Sequence, residues 1–330
     1  MTLEPFRALV ADQYGDDVSV SVRFVKEEEL PQGDLLVKVA YSSLNYKDAL
    51  ACRADGKIVS QYPHIPGIDL AGTVVQSRSL RFREGDPVVV TGYGLGVSQH
   101  GGFSEYARIP AEWAVPLPEP LTLRESMAFG TAGFTAALSL ERLEQNGLKP
   151  EDGPVLVTGA TGGVGSLSVL MLARAGYEVV ASTGKAAERD YLRTLGASAV
   201  LDRSELEQPT GPLGRQQWAA AVDPVGGTSI PAILAGIRYG GGVALSGMTG
   251  GGGFSATVYP FILRGISLLG IDSVFCPYEL RLRLWQQLAE RFAGESVLET
   301  VAEDISLDEL PDKLAAITAG RMRGRARIRL

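Results

Sequence analysis

The chain has 330 residues, 45% of them hydrophobic and 21% charged, with a formal net charge of −7. That length exceeds what one hydrophobic core ordinarily serves, so two domains are expected, and the acidic balance argues against a general nucleic-acid or anionic-membrane surface. Cys52 and Cys276 form no disulfide framework, residues 1–17 lack an apolar signal core, and no run approaches the ~18 apolar residues of a membrane span. The expectation is a cytoplasmic protein with no nucleic-acid or membrane partner.

From Phe6 to Pro118, short runs of strand-forming residues are punctuated by Gly and Pro: Phe6 to Val10, Val18 to Phe24, Leu35 to Tyr41, Leu70 to Val75, Pro87 to Val90 and Phe103 to Ile109. They predict a mostly β domain interrupted by one helix, Asn45 to Cys52. Thr122-Leu123-Arg124-Glu125 has the spacing of a capping box and opens a helical stretch, followed by a longer helix from Gly130 to Gln145. Six strands then alternate with helices: Val155 to Thr158, Glu178 to Ser182, Ala199 to Leu201, Trp218 to Val222, Gly242 to Ser246 and Ser267 to Ile271. That rhythm predicts a doubly wound parallel sheet, making the fold class α/β. A helix over Tyr278 to Phe292, another opened by Ser306-Leu307-Asp308-Glu309 and a final strand form a tail too small to fold alone. The division expected is 1–124, 125–271, and a return segment 272–330 that completes the first domain.

Directly after the Val155 strand, Ala160-Thr161-Gly162-Gly163-Val164-Gly165 has the dinucleotide-fingerprint spacing at the start of a helix, with Ala160 in the first glycine's place. Small residues there let backbone amides and the helix dipole meet a pyrophosphate; a turn that merely packs helix on strand is the alternative. At the end of the next strand, where an acid would hold an NAD ribose, the chain has Ser182-Thr183-Gly184-Lys185. Hydroxyls and an ammonium suit a 2′-phosphate, so NADPH is the expected cofactor, although Lys185 also reads as a solvated helix-start lysine. Catalytic zinc needs three converging ligands, and two histidines, His64 and His100, with two distant cysteines do not supply them. No metal is expected.

Ser43-Leu-Asn-Tyr-Lys-Asp-Ala-Leu50, Ile65-Pro-Gly-Ile-Asp-Leu-Ala-Gly72, Gly101-Gly-Phe-Ser-Glu-Tyr-Ala107, Gly130-Thr-Ala-Gly-Phe-Thr135 and Thr158-Gly-Ala-Thr-Gly-Gly-Val-Gly165 resemble, in order and spacing, the zinc-free quinone oxidoreductase branch of the medium-chain dehydrogenases. More narrowly, Leu44 to Leu50, Pro260 to Arg264 and Gly270-Ile-Asp-Ser273 resemble the YhdH/YhfP group, which includes acryloyl-CoA reductase. The resemblance implies a GroES-like catalytic domain beside the Rossmann domain, with Asn45 and Gly67-Ile68-Asp69 where zinc enzymes keep metal ligands. It also implies Tyr46 in the nicotinamide cleft, Arg203 against the adenine, and Leu245 to Met248, Ile262 and Ser273 at the nicotinamide end.

The activity so implied is NADPH-dependent reduction of the C=C bond of a short α,β-unsaturated thioester. Such chemistry needs donors for the carbonyl oxygen and a proton for the α-carbon. Tyr46 is the first candidate, as proton donor or carbonyl orienter, and Asn45 is a neutral donor; Tyr46 also reads as an aromatic wall. Arginine at every second position from Arg321 to Arg329 would share one face if extended. Arg323 and Arg325 could then bind coenzyme A phosphates, or the stripe could be an edge face paired with local acids. Competing readings are an NADPH:quinone or enone oxidoreductase and a non-catalytic NADPH-binding protein. Self-pairing of the last Rossmann strand would give a homodimer.

Overall fold

The first strands form because apolar residues recur at a period of two, burying one set of side chains on each face of a sheet. The structure is a computed structural model that describes residues 3–208 and 211–330. Strands β1 (Phe6–Tyr14) and β2 (Asp17–Val25) make an antiparallel hairpin turning at Gly15, whose φ of 61° suits glycine. Then follow β3 (Leu35–Ser43), α1 (Tyr46–Ala51), β4 (Asp69–Ser77), β5 (Pro87–Thr91), β6 (Tyr106–Ile109) and β7 (Val115–Pro116). On β3 the alternation shows directly: Leu35, Val37 and Val39 enter one cluster with Leu70, Val74, Val88 and Val90, while Leu36 enters another with Phe6, Leu9, Phe103 and Ile328.

Helix α2 (Leu123–Gln145) covers both helical stretches read from the sequence, which meet at Gly130, a non-helical residue at φ 50° and ψ −154°. The chain divides within this helix: one compact unit is Met1–Thr131 with Val274–Leu330, the other Ala132–Ser273. The sequence reading drew these boundaries at 125 and 271.

The second unit contains β8 (Val155–Val157), α3 (Gly163–Arg174), β9 (Val179–Thr183), α4 (Arg189–Thr194), β10 (Ala199–Asp202), β11 (Trp218–Asp223), α5 (Ile230–Gly236), β12 (Ile237–Leu245), α6 (Tyr259–Arg264) and β13 (Ser267–Gly270). Its six strands are all parallel in the order β10-β9-β8-β11-β12-β13. Counted from β8, that is 3-2-1-4-5-6, the doubly wound order whose ligand crevice opens at the carboxyl ends of the strands beside the reversal point. Here that point lies between β8 and β11.

The chain then returns through α7 (Tyr278–Phe292), α8 (Glu295–Val301), β14 (Ala302–Ser306), α9 (Leu310–Thr318) and β15 (Arg325–Arg329). The return segment completes the first unit's sheet, β14-β15-β3-β4-β5-β7, with β6 also on β3. β15 is therefore an interior strand, not an edge. Its arginines are not a solvated stripe: Arg325 and Arg327 are buried, Arg329 is exposed, and Arg321 and Arg323 lie outside the strand. Arg327 pairs with Asp304 at 2.5 Å and Glu299 at 3.1 Å, and the same two acids hold Arg124 at the start of α2.

Candidate active site and cofactor loop

Antiparallel alternation brings the end of β3, the start of β4, the end of β5 and the start of β15 to one end of the sheet. Ser43, Asp69, Thr91 and Arg325 stand there, and Asn45 caps α1 immediately beyond Ser43. Asp69 is fully buried and accepts from Ser43 Oγ (2.6 Å), Asn45 Nδ2 (2.6 Å), Thr131 N (2.9 Å) and Thr131 Oγ1 (2.5 Å). Arg325 Nη2 lies 3.7 Å from Asp69 and donates to Ser43 Oγ at 2.7 Å, while Nη1 donates to Leu44 O (2.7 Å) and Asn45 Oδ1 (3.2 Å). The network fits because Gly130 has no side chain: a Cβ there would lie 2.3 Å from Ser43 Oγ and 2.5 Å from Asp69 Oδ2.

Asp48 closes the other side of α1. Its carboxylate accepts from Asn45 N (2.8 Å) and Ile68 N (2.9 Å), tying the helix start to the loop before β4. Burial, reinforced by the Asp69 charge, pushes its pKa up to about 7.

Two of the residues singled out from the sequence change role here, and one stays open. Arg325 is 3% exposed and both its Nη1 and Nη2 donate to internal acceptors, so it is enclosed within its own network instead of offered to a coenzyme A phosphate. Asn45 is 7% exposed and its carboxamide is engaged at both ends, donating to Ser43 O and Asp69 and accepting from Arg325, so it positions the site instead of offering a free donor to a substrate. Tyr46, the first residue of α1, is 38% exposed, and its hydroxyl has no hydrogen-bond partner among the described residues. Arg323 is exposed.

In the second unit the loop between β8 and α3 is built as a phosphate cradle. The tight-turn glycine is Gly159, at φ 52°; this explains why Ala160 can occupy the first fingerprint place, buried with its N–H on Ser182 O at 3.0 Å. Gly165 packs helix on turn, since a Cβ there would meet Gly159 O at 2.2 Å. At Gly162, the cap of α3, a Cβ would meet only Gly159 O, at 3.3 Å; Gly162, Gly163 and Val164 are half-buried, leaving the helix's amino end open.

Thr161 Oγ1 lies 3.3 Å from Thr183 Oγ1, which also accepts from Lys185 N at 3.1 Å. Ser182 and Thr183 are thus buried braces of the turn, and Lys185, half-buried, and Arg203, exposed, are the cations beside it. Arg203 belongs with Lys185 because its side chain lies against Gly184, where a Cβ would come within 2.8 Å of Nε. Beside the reversal point, buried Asp223 accepts from Thr158 Oγ1 and from Gly226 N at 2.7 Å, locking the β8 turn to the end of β11. Leu245 ends β12, Ser273 is half-buried just beyond β13, and Met248 and Ile262 are 70% and 68% exposed. Sequence reading missed Thr158, Gly159 and Asp223; the only local signal was the Thr-Gly pair ending the strand.

The alcohol dehydrogenase GroES-like domain family matches residues 31–119, and the zinc-binding dehydrogenase family matches residues 163–290. YhfP of Bacillus subtilis, whose quinone oxidoreductase label is provisional, is 55% identical across 98% of this chain and 99% of its own. The chain belongs to the YhdH/YhfP group of the medium-chain dehydrogenase/reductase family. The acrylyl-CoA reductase AcuI of Ruegeria pomeroyi is 46% identical over 97% of this chain and 98% of its own. The Salmonella enterica YhdH oxidoreductase, solved with NADP, superposes with a TM-score of 0.96 at 43% identity, covering 98% of this chain and 99% of that one. YhfP itself, solved with NAD, gives a TM-score of 0.96 at 54% identity, covering 99% and 100%. The zinc of the wider family does not fit this member's residues. Asp69 is saturated by donors from its own chain, Asn45 is bound to it, and among the described residues no three His, Cys, Asp or Glu side chains converge.

Proposed function

We propose that the chain is an NADPH-dependent reductase of the C=C bond of a short α,β-unsaturated thioester of the acryloyl-CoA kind. The observation that carries the reading is the 46% identity to AcuI over nearly the whole of both chains. Lys185 after β9, where an acid would hold an NAD ribose, and Arg203 after β10, whose side chain lies against Gly184, support NADPH over NADH. Ala160 to Gly165 would hold the pyrophosphate, Lys185 and Arg203 the 2′-phosphate, and Tyr46, Leu245, Met248, Ile262 and Ser273 the nicotinamide end. Bound NADPH supplies a hydride for the β-carbon.

As that carbon is reduced, the thioester oxygen gathers negative charge and the α-carbon takes a proton. Tyr46 donates to that oxygen or delivers that proton: its phenol is half-exposed, and the Asn45, Asp48 and Asp69 network fixes the backbone from which it projects. We further propose a homodimer through β13, an edge strand of half-buried Ser267, Leu268 and Leu269 near the exposed Val258, Ile262 and Leu263. Sedimentation as a monomer at working concentration would remove that idea.

The activity is tested by following NADPH absorbance with acryloyl-CoA, crotonyl-CoA and benzoquinone in parallel, with NADH as control. Fast oxidation with acryloyl-CoA, falling about a hundredfold in Tyr46→Phe at unchanged NADPH affinity, is expected. Preference for benzoquinone would favour the reading that YhfP's label suggests. Tight binding without turnover would leave a non-catalytic NADPH-binding protein.

A further inference from the structure

Backbone pairing carries the phosphate turn away from the second half of the Rossmann sheet. At the reversal point Thr158 N donates to Val222 O at 3.1 Å, and past that rung the turn bends toward β9, with Ala160 N on Ser182 O at 3.0 Å. The tie across the gap is Asp223, fully buried at the end of β11. Its Oδ1 accepts from Thr158 Oγ1, its Oδ2 from Gly226 N at 2.7 Å, and its main-chain O from Ser246 N at 3.0 Å. These donors belong to the chain just past β8, β11 and β12 in turn.

The loops beyond those strands rest on one another main chain to main chain. A Cβ at Gly247 would lie 2.0 Å from Pro224 O, and one at Gly227 2.2 Å from Gly250 O, while Gly250 N donates to Val225 O at 2.8 Å. Val225 fills the remaining gap: one methyl lies 2.9 Å from where Gly159 would carry a Cβ, the other 2.9 Å from where Gly250 would. The turn after β8, the loop after β11 and the loop after β12 thus share one set of contacts, all of it inside the second unit.

Burying a carboxylate is costly unless its oxygens find donors, and an ionised carboxylate can only accept. The two oxygens of Asp223 take their donors from different loops, so a shift of either loop alone leaves a desolvated charge with one donor fewer. A residue that merely filled this space could be apolar, as Ala221 and Val222 before it are. The carboxylate sets a spacing.

We propose that Asp223 is a positioning residue for NADPH: it fixes the distance between the turn that receives the pyrophosphate and the loop after β12 that receives the nicotinamide end, so that seating one half of the cofactor helps to seat the other. It rests on the reading that puts the pyrophosphate at Ala160 to Gly165 and the nicotinamide end at Leu245 and Met248. Doubly wound sheets bind a dinucleotide across the crevice at this reversal point, one mononucleotide to each half of the sheet. Once the pyrophosphate is anchored, the nicotinamide binds intramolecularly, and its contribution depends on how well the second seat matches the cofactor's span. Asp223, itself enclosed, acts through Thr158 and Gly226.

The test uses the full-length protein and calorimetric Kd values for NADPH and for 2′-phospho-ADP-ribose, which keeps the adenosine and pyrophosphate but lacks the nicotinamide. The ratio of the second Kd to the first reads the nicotinamide's contribution, which a merely structural loss would not move. In Asp223→Val that ratio is expected to fall about tenfold or more, the scale of one charge-assisted hydrogen bond, with the 2′-phospho-ADP-ribose Kd within twofold of wild type. Thr158→Val, which deletes one donor at constant shape, should lower it in the same direction and carries the test if Asp223→Val does not fold. Asp223→Asn should rescue it, because its carbonyl can accept from Gly226 N while its amide donates to Thr158 Oγ1. A ratio within twofold of wild type in both valine variants, including an equal loss for the two ligands, overturns the proposal. Gly247→Ala, whose Cβ would meet Pro224 O, displaces the loop after β12 directly. If it lowers the ratio where the valine variants do not, the nicotinamide seat stands and the role of Asp223 falls alone. If it leaves the ratio unchanged, the seat is elsewhere and both fall.

Discussion

Arg325→Met isolates the energetics of the buried network. Methionine keeps much of the side chain's length but deletes the donors to Leu44 O, Asn45 Oδ1 and Ser43 Oγ, and removes the cation 3.7 Å from Asp69. Asp69 keeps its Ser43, Asn45 and Thr131 donors but is left as a buried charge without its counterion. Removing one partner of such a pair costs about 3–5 kcal/mol, a large fraction of the ~5–15 kcal/mol that holds a typical domain together. Urea unfolding followed by tryptophan fluorescence reads it directly, because Trp113 and Trp285 lie in the same unit as the network. Adding Asp69→Asn should restore part of the loss, since it removes the stranded charge. A loss below 1 kcal/mol, or a double variant weaker than Arg325→Met by the full cost of Asp69→Asn alone, would refute the account. Because Arg325 is buried, the ratio of kcat/KM for acryloyl-CoA over acryloyl-pantetheine should not change in the surviving enzyme; a selective fall for the coenzyme A ester would restore Arg325 as a phosphate contact.

Gly165→Ala should abolish NADPH binding measured by calorimetry, because its Cβ would sit 2.2 Å from Gly159 O, a clash with backbone that only a rearranged turn relieves. Replacing both Lys185 and Arg203 by Ala should cut NADPH affinity by about a hundredfold or more while leaving NADH nearly unchanged, as expected for losing two charge-assisted bonds worth about 1.5–3 kcal/mol each; equal loss for both cofactors would contradict the 2′-phosphate assignment. Asp48 is raised to about 7 in the folded state, so its contribution to stability is complete below the ordinary carboxylate range and disappears as pH rises through 7. Asp48→Asn mimics the protonated form and should flatten that part of the urea-midpoint profile between pH 5.5 and 8; an unchanged slope would assign it to other groups.

The fold was legible wherever local pattern and tertiary outcome coincide. Helix α7 occupies Tyr278–Phe292 as its apolar spacing indicates, and all six Rossmann strands follow apolar runs. Legibility failed where burial depends on distant partners. The arginines of β15 resemble a solvated stripe because nothing near them neutralises charge; the acids that bury Arg327 arrive from Glu299 and Asp304, and the acceptors of Arg325 lie 280 to 282 residues away. Strand β14, Ala-Glu-Asp-Ile-Ser, was hidden by its acids, and the start of β12 by Gly240, Gly241 and Gly242. In the candidate site, the fingerprint announced the phosphate loop, whereas the dual use of Asn45's carboxamide could be read only once Asp69 and Arg325 stood beside it.

The interior position of β15 bears on how the protein is made. Residues 132–273 are complete as soon as they leave the ribosome, whereas β3 and α1 must wait until Arg325–Arg329 has been synthesised before their sheet can close. Through that interval Ser43, Asn45 and Asp69 lack the cation they are built around, so the half of the protein translated first is the half finished last. Nascent chains should therefore depend on chaperones chiefly through the amino-terminal strands, and removing Arg325–Arg329 should be far more damaging than one substitution in the same stretch.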